Sequence, residues 1–232
     1  MGAAALDVAA SMAQVRRRID AACAEHGRSP DEVLLLPVTK TVEVEQIRAA
    51  WAAGATTVGE NRVQEAAAKA TELCDTGLRW SIIGPLQSNK IKKVADFAAE
   101  LQTLDSHTVA AELDRRLQRA GRSMDVYVQV NTSAEPQKSG LAVDAVLDFT
   151  ATLGAYASLA VVGLMTVAVH SDDPERVGAC FDTLAGLRER LRQRDGEGWS
   201  GLSMGMSGDY ELAVGHGSTV VRVGQAIFGA RA

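Results

Sequence analysis

Short apolar, β-branched runs alternate with longer stretches of helical spacing from one end of this chain to the other. Eight runs read as strands, at 33–40, 56–59, 79–84, 101–105, 125–131, 160–167, 202–206 and 220–227. Helical patterns lie between or after them at 43–53, 62–73, 89–99, 108–120, 143–153, 174–194 and 209–214, and an opening helix at 8–26 precedes them all. Most of the strand runs are continuously apolar, as in a parallel sheet covered on both faces. Such alternation calls for parallel strands joined by right-handed crossovers. Eight strands in 232 residues favour a closed (β/α)8 TIM barrel over an open doubly wound sheet. With no linker, low-complexity stretch or short-period repeat, residues 1–232 are expected to form one α/β barrel domain with an extra N-terminal helix.

The composition narrows the function classes. A net charge of −5 excludes a generally basic nucleic-acid binder. No apolar run reaches the length of a membrane span, and the arginines near the N-terminus follow the alanine-rich part, the wrong order for a signal peptide. Cys23, Cys74 and Cys180 are odd in number and far apart, so they form neither a disulfide framework nor a metal-ligand spacing. A cytoplasmic protein is expected.

In a barrel of this type the reactive face lies at the C-terminal ends of the strands. Lys40 closes the first strand run, and Glu60 and Asn61 close the second. The sixth ends at Met165, the seventh gives Ser203 to Asp209, and Arg222, Gly224 and Gln225 belong to the eighth. A lysine at the barrel mouth, partly desolvated, is less strongly protonated and better able to attack a carbonyl. The competing reading pairs Lys40 with a carboxylate such as Glu60. Arg222 interrupts an apolar run and needs acceptors wherever it is buried. The small residues of SMGMSG (203–208) and VGQ (223–225) let backbone N–H groups approach an anion at the usual phosphate position of such barrels. A lysine opposite a phosphate cradle suits either a pyridoxal phosphate (PLP) site or a Schiff base with a sugar phosphate, and these residues alone leave both open.

Seven blocks in order extend the pattern over nearly the whole chain: VTKT (38–41), GENRVQE (59–65), IGPLQSNK (83–90), QVNTSAEPQKSG (129–140), GLM (163–165), SMGMSGDYE (203–211) and GSTVVRVGQAIFGAR (217–231). In this the chain resembles the YggS/PROSC-like PLP homeostasis family. The resemblance implies a fold-type III barrel like the N-terminal domain of alanine racemase, with PLP as cofactor. Lys40 matches the lysine that forms the internal aldimine, and Asn61 and Met165 match positions lining the cofactor. Ser203, Ser207, Gly224 and Gln225 match the phosphate-binding positions, and Arg222 the arginine facing the pyridine nitrogen. Gln225 stands where a small hydroxyl residue is common, and Ser81 where histidine is common.

An arginine at the pyridine nitrogen keeps its own proton, unlike the acidic partner that strengthens the ring as an electron sink. A racemase on this barrel would also need a second acid/base, which the racemases draw from an additional domain that is not expected here. The resemblance therefore implies a PLP-holding protein of intracellular PLP (vitamin B6) homeostasis without efficient catalysis, expected to be a monomer. A racemase-like enzyme using water or Tyr210 is the alternative, and a cofactor-free sugar-phosphate lyase the third reading. The lysines at 90, 92 and 93 form a cluster suited to solvent or to transient contact with PLP-synthesising or PLP-dependent enzymes.

Overall fold

The computed structural model describes residues 7–229 apart from residue 197. Among these residues eight strands form one parallel sheet: β1 Leu34–Pro37, β2 Thr57–Glu60, β3 Arg79–Ile82, β4 Glu100–Leu104, β5 Met124–Gln129, β6 Leu159–Met165, β7 Gly201–Ser203 and β8 Val220–Val223. From β2 to β8 each strand pairs with its neighbour in sequence, and β1 pairs with β8, Leu36 lying opposite Arg222. The seam between β1 and β2 is joined by a single parallel bridge, Val38 to Gly59, where the Thr39 N–H donates to the Gly59 carbonyl at 2.9 Å. The expected (β/α)8 TIM barrel is therefore what the chain forms.

The helices cover the outside: α1 Val8–Glu25, α2 Val44–Ala52, α3 Val63–Glu72, α4 Ile91–Phe97, α5 His107–Ala120, α6 Val146–Ala151, α7 Pro174–Asp195, α8 Tyr210–Gly215 and α9 Gln225–Phe228. Local chemistry sets several ends. The Asp7 carboxylate accepts from the Ala10 N–H at 3.0 Å and starts α1. Asp173 does the same for the Glu175 N–H at 3.0 Å, with Pro174 in the first turn of α7. Gly121, at φ 62°, ends α5 in the left-handed conformation that costs a β-carbon most. A main apolar layer lies between the strands and α2 to α7, and a second packs α1 against α8, α9 and β8. The barrel interior holds a small third cluster, Leu36, Tyr127, Met165 and Val220.

Several strands end earlier than expected, and two of these changes move site residues off the strand. The first strand run stops at Pro37, so Lys40 lies in the following loop and not on the strand. The eighth stops at Val223, and Gln225 opens the short helix α9. In both places β-branched or apolar residues recur just past the ladder, Val38 and Thr39 after β1 and Ala226 and Ile227 after β8, so composition alone overextends the strand. No helix among the described residues is long and apolar enough to cross a membrane.

Candidate functional site

The loop carrying Lys40 is gripped on both sides. Lys69, from α3, donates to the Thr39 carbonyl at 2.7 Å, to Glu60 Oε1 at 2.7 Å and to Glu65 Oε1 at 2.6 Å. Thr39 Oγ1 donates to the same Glu60 oxygen at 3.0 Å, and the Thr41 N–H donates to Glu65 Oε1 at 2.7 Å. Thr41 sits at φ 61°, a conformation a β-branched residue adopts only when its surroundings hold it. The clamp fixes the backbone immediately before and after Lys40, whose side chain is half-buried. Glu60 is fully buried at the end of β2, and burial raises its carboxyl above the ordinary range against the pull of Lys69. Burial also works to raise Glu65, but Lys69 and the Thr41 N–H outweigh it and hold this carboxyl low. The residue paired with Glu60 is thus Lys69.

Next to Glu60, half-buried Asn61 turns the chain towards α3. Its carbonyl passes so close to Gly84 that a β-carbon there would lie 2.2 Å from the oxygen. Glycine in the IGPLQ motif is required by this approach. Met165 ends β6 inside the barrel, in the cluster with Leu36, Tyr127 and Val220.

Arg222 projects from β8 and is 4% exposed. It donates to Ser203 Oγ at 2.6 Å and to the Thr166 carbonyl at 2.7 Å. Ser203 Oγ in turn donates to Gln102 Oε1 at 2.7 Å, and Gln102 Nε2 donates to Glu100 Oε1 at 2.7 Å. Ser81 Oγ reaches the same carboxylate oxygen at 2.5 Å. Every donor in this chain points from Arg222 towards Glu100, so one hydrogen-bond direction runs from β8 through β7 to β4. Burial pushes the Arg222 guanidinium down to about 10, with Asp209 and Tyr127 opposing, so it remains charged at neutral pH. Burial likewise raises Glu100, against its bonds from Ser81 and Gln102.

The remaining candidates come together in two loops. The Gly224 N–H donates to Ser207 Oγ at 3.3 Å, joining the turn after β7 to the turn after β8. Met206 N–H donates to Asp209 Oδ1 at 2.6 Å and the Asp209 N–H returns to the Met206 carbonyl at 3.1 Å, closing the turn that carries Ser207 and Gly208. Gly205, at φ 94°, lets this turn pass α8, since a β-carbon would meet that of Ala213 at 2.6 Å. Gly224 packs on the other side against β1's extension, its added β-carbon 3.2 Å from the Val38 carbonyl. Exposed Gln225 leads away from this turn at the start of α9. Beside Ser207 lies a cavity of about 400 Å³ bounded by Gly208, Asp209, Arg18 and Ser171.

The structure therefore brings Ser207, Gly224 and Gln225 together and places Ser203 apart from them, in the Arg222 chain. Tyr210 is buried in the α1 layer, with the Arg18 guanidinium 5.6 Å over its ring. Sequence reasoning missed Lys69, Thr166, Glu100 and Gln102 as parts of the site. The period-2 polar spacing of Glu100 and Gln102 in β4 was a usable signal for an inward-facing pair. A cofactor with an aldehyde and a phosphate fits these residues: an amine on a clamped loop, a two-loop hydroxyl and N–H cradle, and a buried guanidinium with few acceptors of its own.

The alanine racemase N-terminal domain family matches residues 11–232. A protein of Escherichia coli (strain K12) named pyridoxal phosphate homeostasis protein is 38% identical over 232 residues, covering 97% of both chains. One of the same name from Vibrio alginolyticus is 39% identical over 209 residues, 88% of this chain and 89% of that one. The structure of PipY from Synechococcus elongatus with PLP bound superimposes with a TM-score of 0.85 at 33% identity, over 96% of this chain and 100% of that one. An alanine racemase from Clostridium difficile shares the fold at TM-score 0.76 and 13% identity, over 97% of this chain and 57% of that one. The barrel, its Lys40 loop and these relatives lead to one assignment: the chain belongs to the pyridoxal phosphate homeostasis proteins, within the alanine racemase N-terminal domain family.

Proposed function

We infer that this protein holds PLP on Lys40 and serves intracellular PLP homeostasis, with no efficient turnover of its own. The observation that carries the reading is the buried Arg222 guanidinium, fixed by Ser203 and Thr166 and charged at neutral pH. When bound, PLP supplies an aldehyde that condenses with an amine and a ring that can accept negative charge. Lys40 would provide the amine, with the Lys69 clamp fixing its loop. Ser207, Gly224 and Gln225 would hold the phosphate, Asn61 and Met165 would line the ring, and Ser203 would orient Arg222 at the ring nitrogen. Arg222 keeps its proton and gives the ring none, so the site favours holding over carbanion chemistry.

Burial of Tyr210 in the helical layer speaks against the racemase-like alternative in which that tyrosine moves a proton. The protein is placed in the cytoplasm, where free Cys23, Cys74 and Cys180 suit a reducing medium. It acts as a monomer that makes transient contacts with PLP-synthesising or PLP-dependent enzymes. Among the described residues the exposed large apolar side chains, Leu34, Trp51 and Met206, are singly placed on three segments.

The test is the near-UV/visible spectrum with added PLP, before and after borohydride, followed by peptide mapping. A yellow band fixed by reduction onto Lys40 supports the reading, and a colourless protein with no labelled lysine overturns it. Racemisation or deamination of amino acids at ordinary enzyme rates would overturn the carrier part alone.

A further inference from the structure

The hydrogen-bond chain behind Arg222 runs from the mouth of the barrel to its opposite end. Glu100 is the first residue of β4, whereas the reactive face lies at the last residues of the strands. Ser81, Glu100 and Asp125 are register partners on β3, β4 and β5, so they form one row across the starting end of the sheet. Ser81, Gln102 and Ser203 are fully buried, Arg222 nearly so, and Glu100 is half-buried. Burying an arginine with a distant carboxylate is often less favourable than apolar packing of the same volume. Stability alone therefore does not account for the chain.

The direction of each bond is forced, because a guanidinium only donates and an ionised carboxylate only accepts. Arg222 takes a lone pair of Ser203 Oγ at 2.6 Å, which leaves the serine hydrogen for Gln102 Oε1 at 2.7 Å. With its oxygen committed, Gln102 turns its amide nitrogen to Glu100 at 2.7 Å. Ser81 Oγ, 2.5 Å from the same carboxylate oxygen, holds the far end. The acceptors that Arg222 meets directly, Ser203 Oγ and the Thr166 carbonyl, are neutral. The carboxylate that ends the chain is thus what polarises it, since linked hydrogen bonds strengthen one another. A proton on Glu100 turns its bonds from Ser81 and Gln102 from charge-assisted into neutral ones and loosens the hold at the other end. Burial already raises this carboxyl.

We propose that Glu100 is a positioning residue for Arg222, acting through Gln102 and Ser203, so that the starting end of β4 governs how the guanidinium is held for the ring nitrogen. The ring-nitrogen part rests on the PLP reading, and the link from Glu100 to Arg222 stands without it. The charged groups facing Glu100 are Asp125 on β5 and Arg79 on β3, themselves paired at 2.7 Å. Asp209 and Tyr127 face Arg222, and Tyr127 also faces Glu100. Burial pushes the Tyr127 hydroxyl far up, so it stays neutral while Glu100 titrates.

The first readout is the Arg222 guanidinium in full-length protein labelled with ¹⁵N-arginine and free of PLP, its resonances assigned by their absence in Arg222→Lys. They are expected to shift as pH falls from 8 to 5 in the native protein and to stay fixed in Glu100→Gln and Gln102→Leu. The double variant should match Gln102→Leu, since Glu100 acts only through Gln102. If Gln102→Leu does not fold, the near-isosteric Glu100→Gln decides alone. The second readout is the ring ¹⁵N resonance of labelled PLP, expected to differ between native protein and Glu100→Gln at pH 8. PLP affinity should fall by roughly three- to tenfold in that variant, as a charge-assisted bond becomes a neutral one. Arginine shifts that persist in Glu100→Gln, or that vanish only in Asp209→Asn, overturn the proposal. So does a ring nitrogen identical in both proteins with PLP on Lys40. A protein that binds no PLP but keeps the expected arginine shifts overturns the PLP reading alone and leaves Glu100 positioning Arg222.

Discussion

Replacing Lys69 with methionine removes the centre of the clamp while keeping an unbranched side chain of similar length. Three hydrogen bonds go, to the Thr39 carbonyl, Glu60 and Glu65. Glu60 is left fully buried with Thr39 Oγ1 as its remaining side-chain donor. Breaking a buried ion pair from one side costs about 3–5 kcal/mol, because the surviving charge is uncompensated. Glu60 can lessen the cost by taking a proton, and burial already raises its carboxyl in the native protein. The expected loss is therefore at the lower end, about 3 kcal/mol near pH 8, or roughly 6–12 °C in Tm for a chain of this size. A carboxyl raised in the folded state weakens the fold most when ionised, and that weakness lifts as pH falls through its folded value. Glu65, held low with help from Lys69, contributes stability at high pH that the variant gives up and that the native protein itself loses on acidification. Glu60 makes the gap between native and Lys69→Met widest at pH 8 and narrower towards pH 5, whereas the Glu65 part is lost only on further acidification, below the ordinary carboxylate range. Urea denaturation at a series of pH values measures it, and adding Glu60→Gln should recover part of the loss as a coupling energy. A loss below about 1 kcal/mol, or one independent of pH, would refute the argument that Lys69 compensates a buried charge.

Four further outcomes are expected. Glu100→Gln keeps an acceptor for Ser81 and Gln102 but removes a carboxyl that burial raises, so its stability relative to the native protein should be highest near pH 8 and decline towards pH 5 in the same denaturation series. Arg222→Lys loses the forked contact to Ser203 and Thr166, and should weaken PLP binding and move the absorption band of the bound form in a spectrophotometric titration. Gly84→Ala forces a β-carbon into the Asn61 carbonyl and should lower stability by about 1–3 kcal/mol, read as a drop in Tm. Native protein treated with a thiol reagent should gain one adduct by mass, at exposed Cys74, while buried Cys23 and Cys180 react only after unfolding.

The barrel was legible because its signals are local. Runs of apolar residues at strand length, capped helices such as the one beginning at Asp173-Pro174, and glycines such as Gly121 report on their own neighbourhoods. The strand ends were less legible. Val38 and Thr39 continue the β-branched character of β1 after its ladder has ended, and Ala226 and Ile227 add apolar residues just after β8. In both cases the ladder's end depends on where the neighbouring strand stops, which lies elsewhere in the sequence.

The site divides in the same way. Lys40, Asn61, Met165, Ser207, Arg222, Gly224 and Gln225 could be selected from the sequence because each stands at or just beyond a strand end, where a barrel gathers its polar groups. Lys69 could not be selected this way, since its spacing shows only that it lies on α3 and not that α3 turns it onto Glu60 and Thr39. Ser203 was grouped with Ser207 by proximity in the chain, but the alternating faces of a strand and the turn after it send the two hydroxyls to different partners. Glu100 and Arg222 are 122 positions apart, and only closure of the barrel places both in one hydrogen-bond chain. Sequence alone determined the periodicity, hence the barrel, and the chemical types available at its mouth. The tertiary structure decided which charges meet, because burial and hydrogen bonding act between residues that are neighbours only in space.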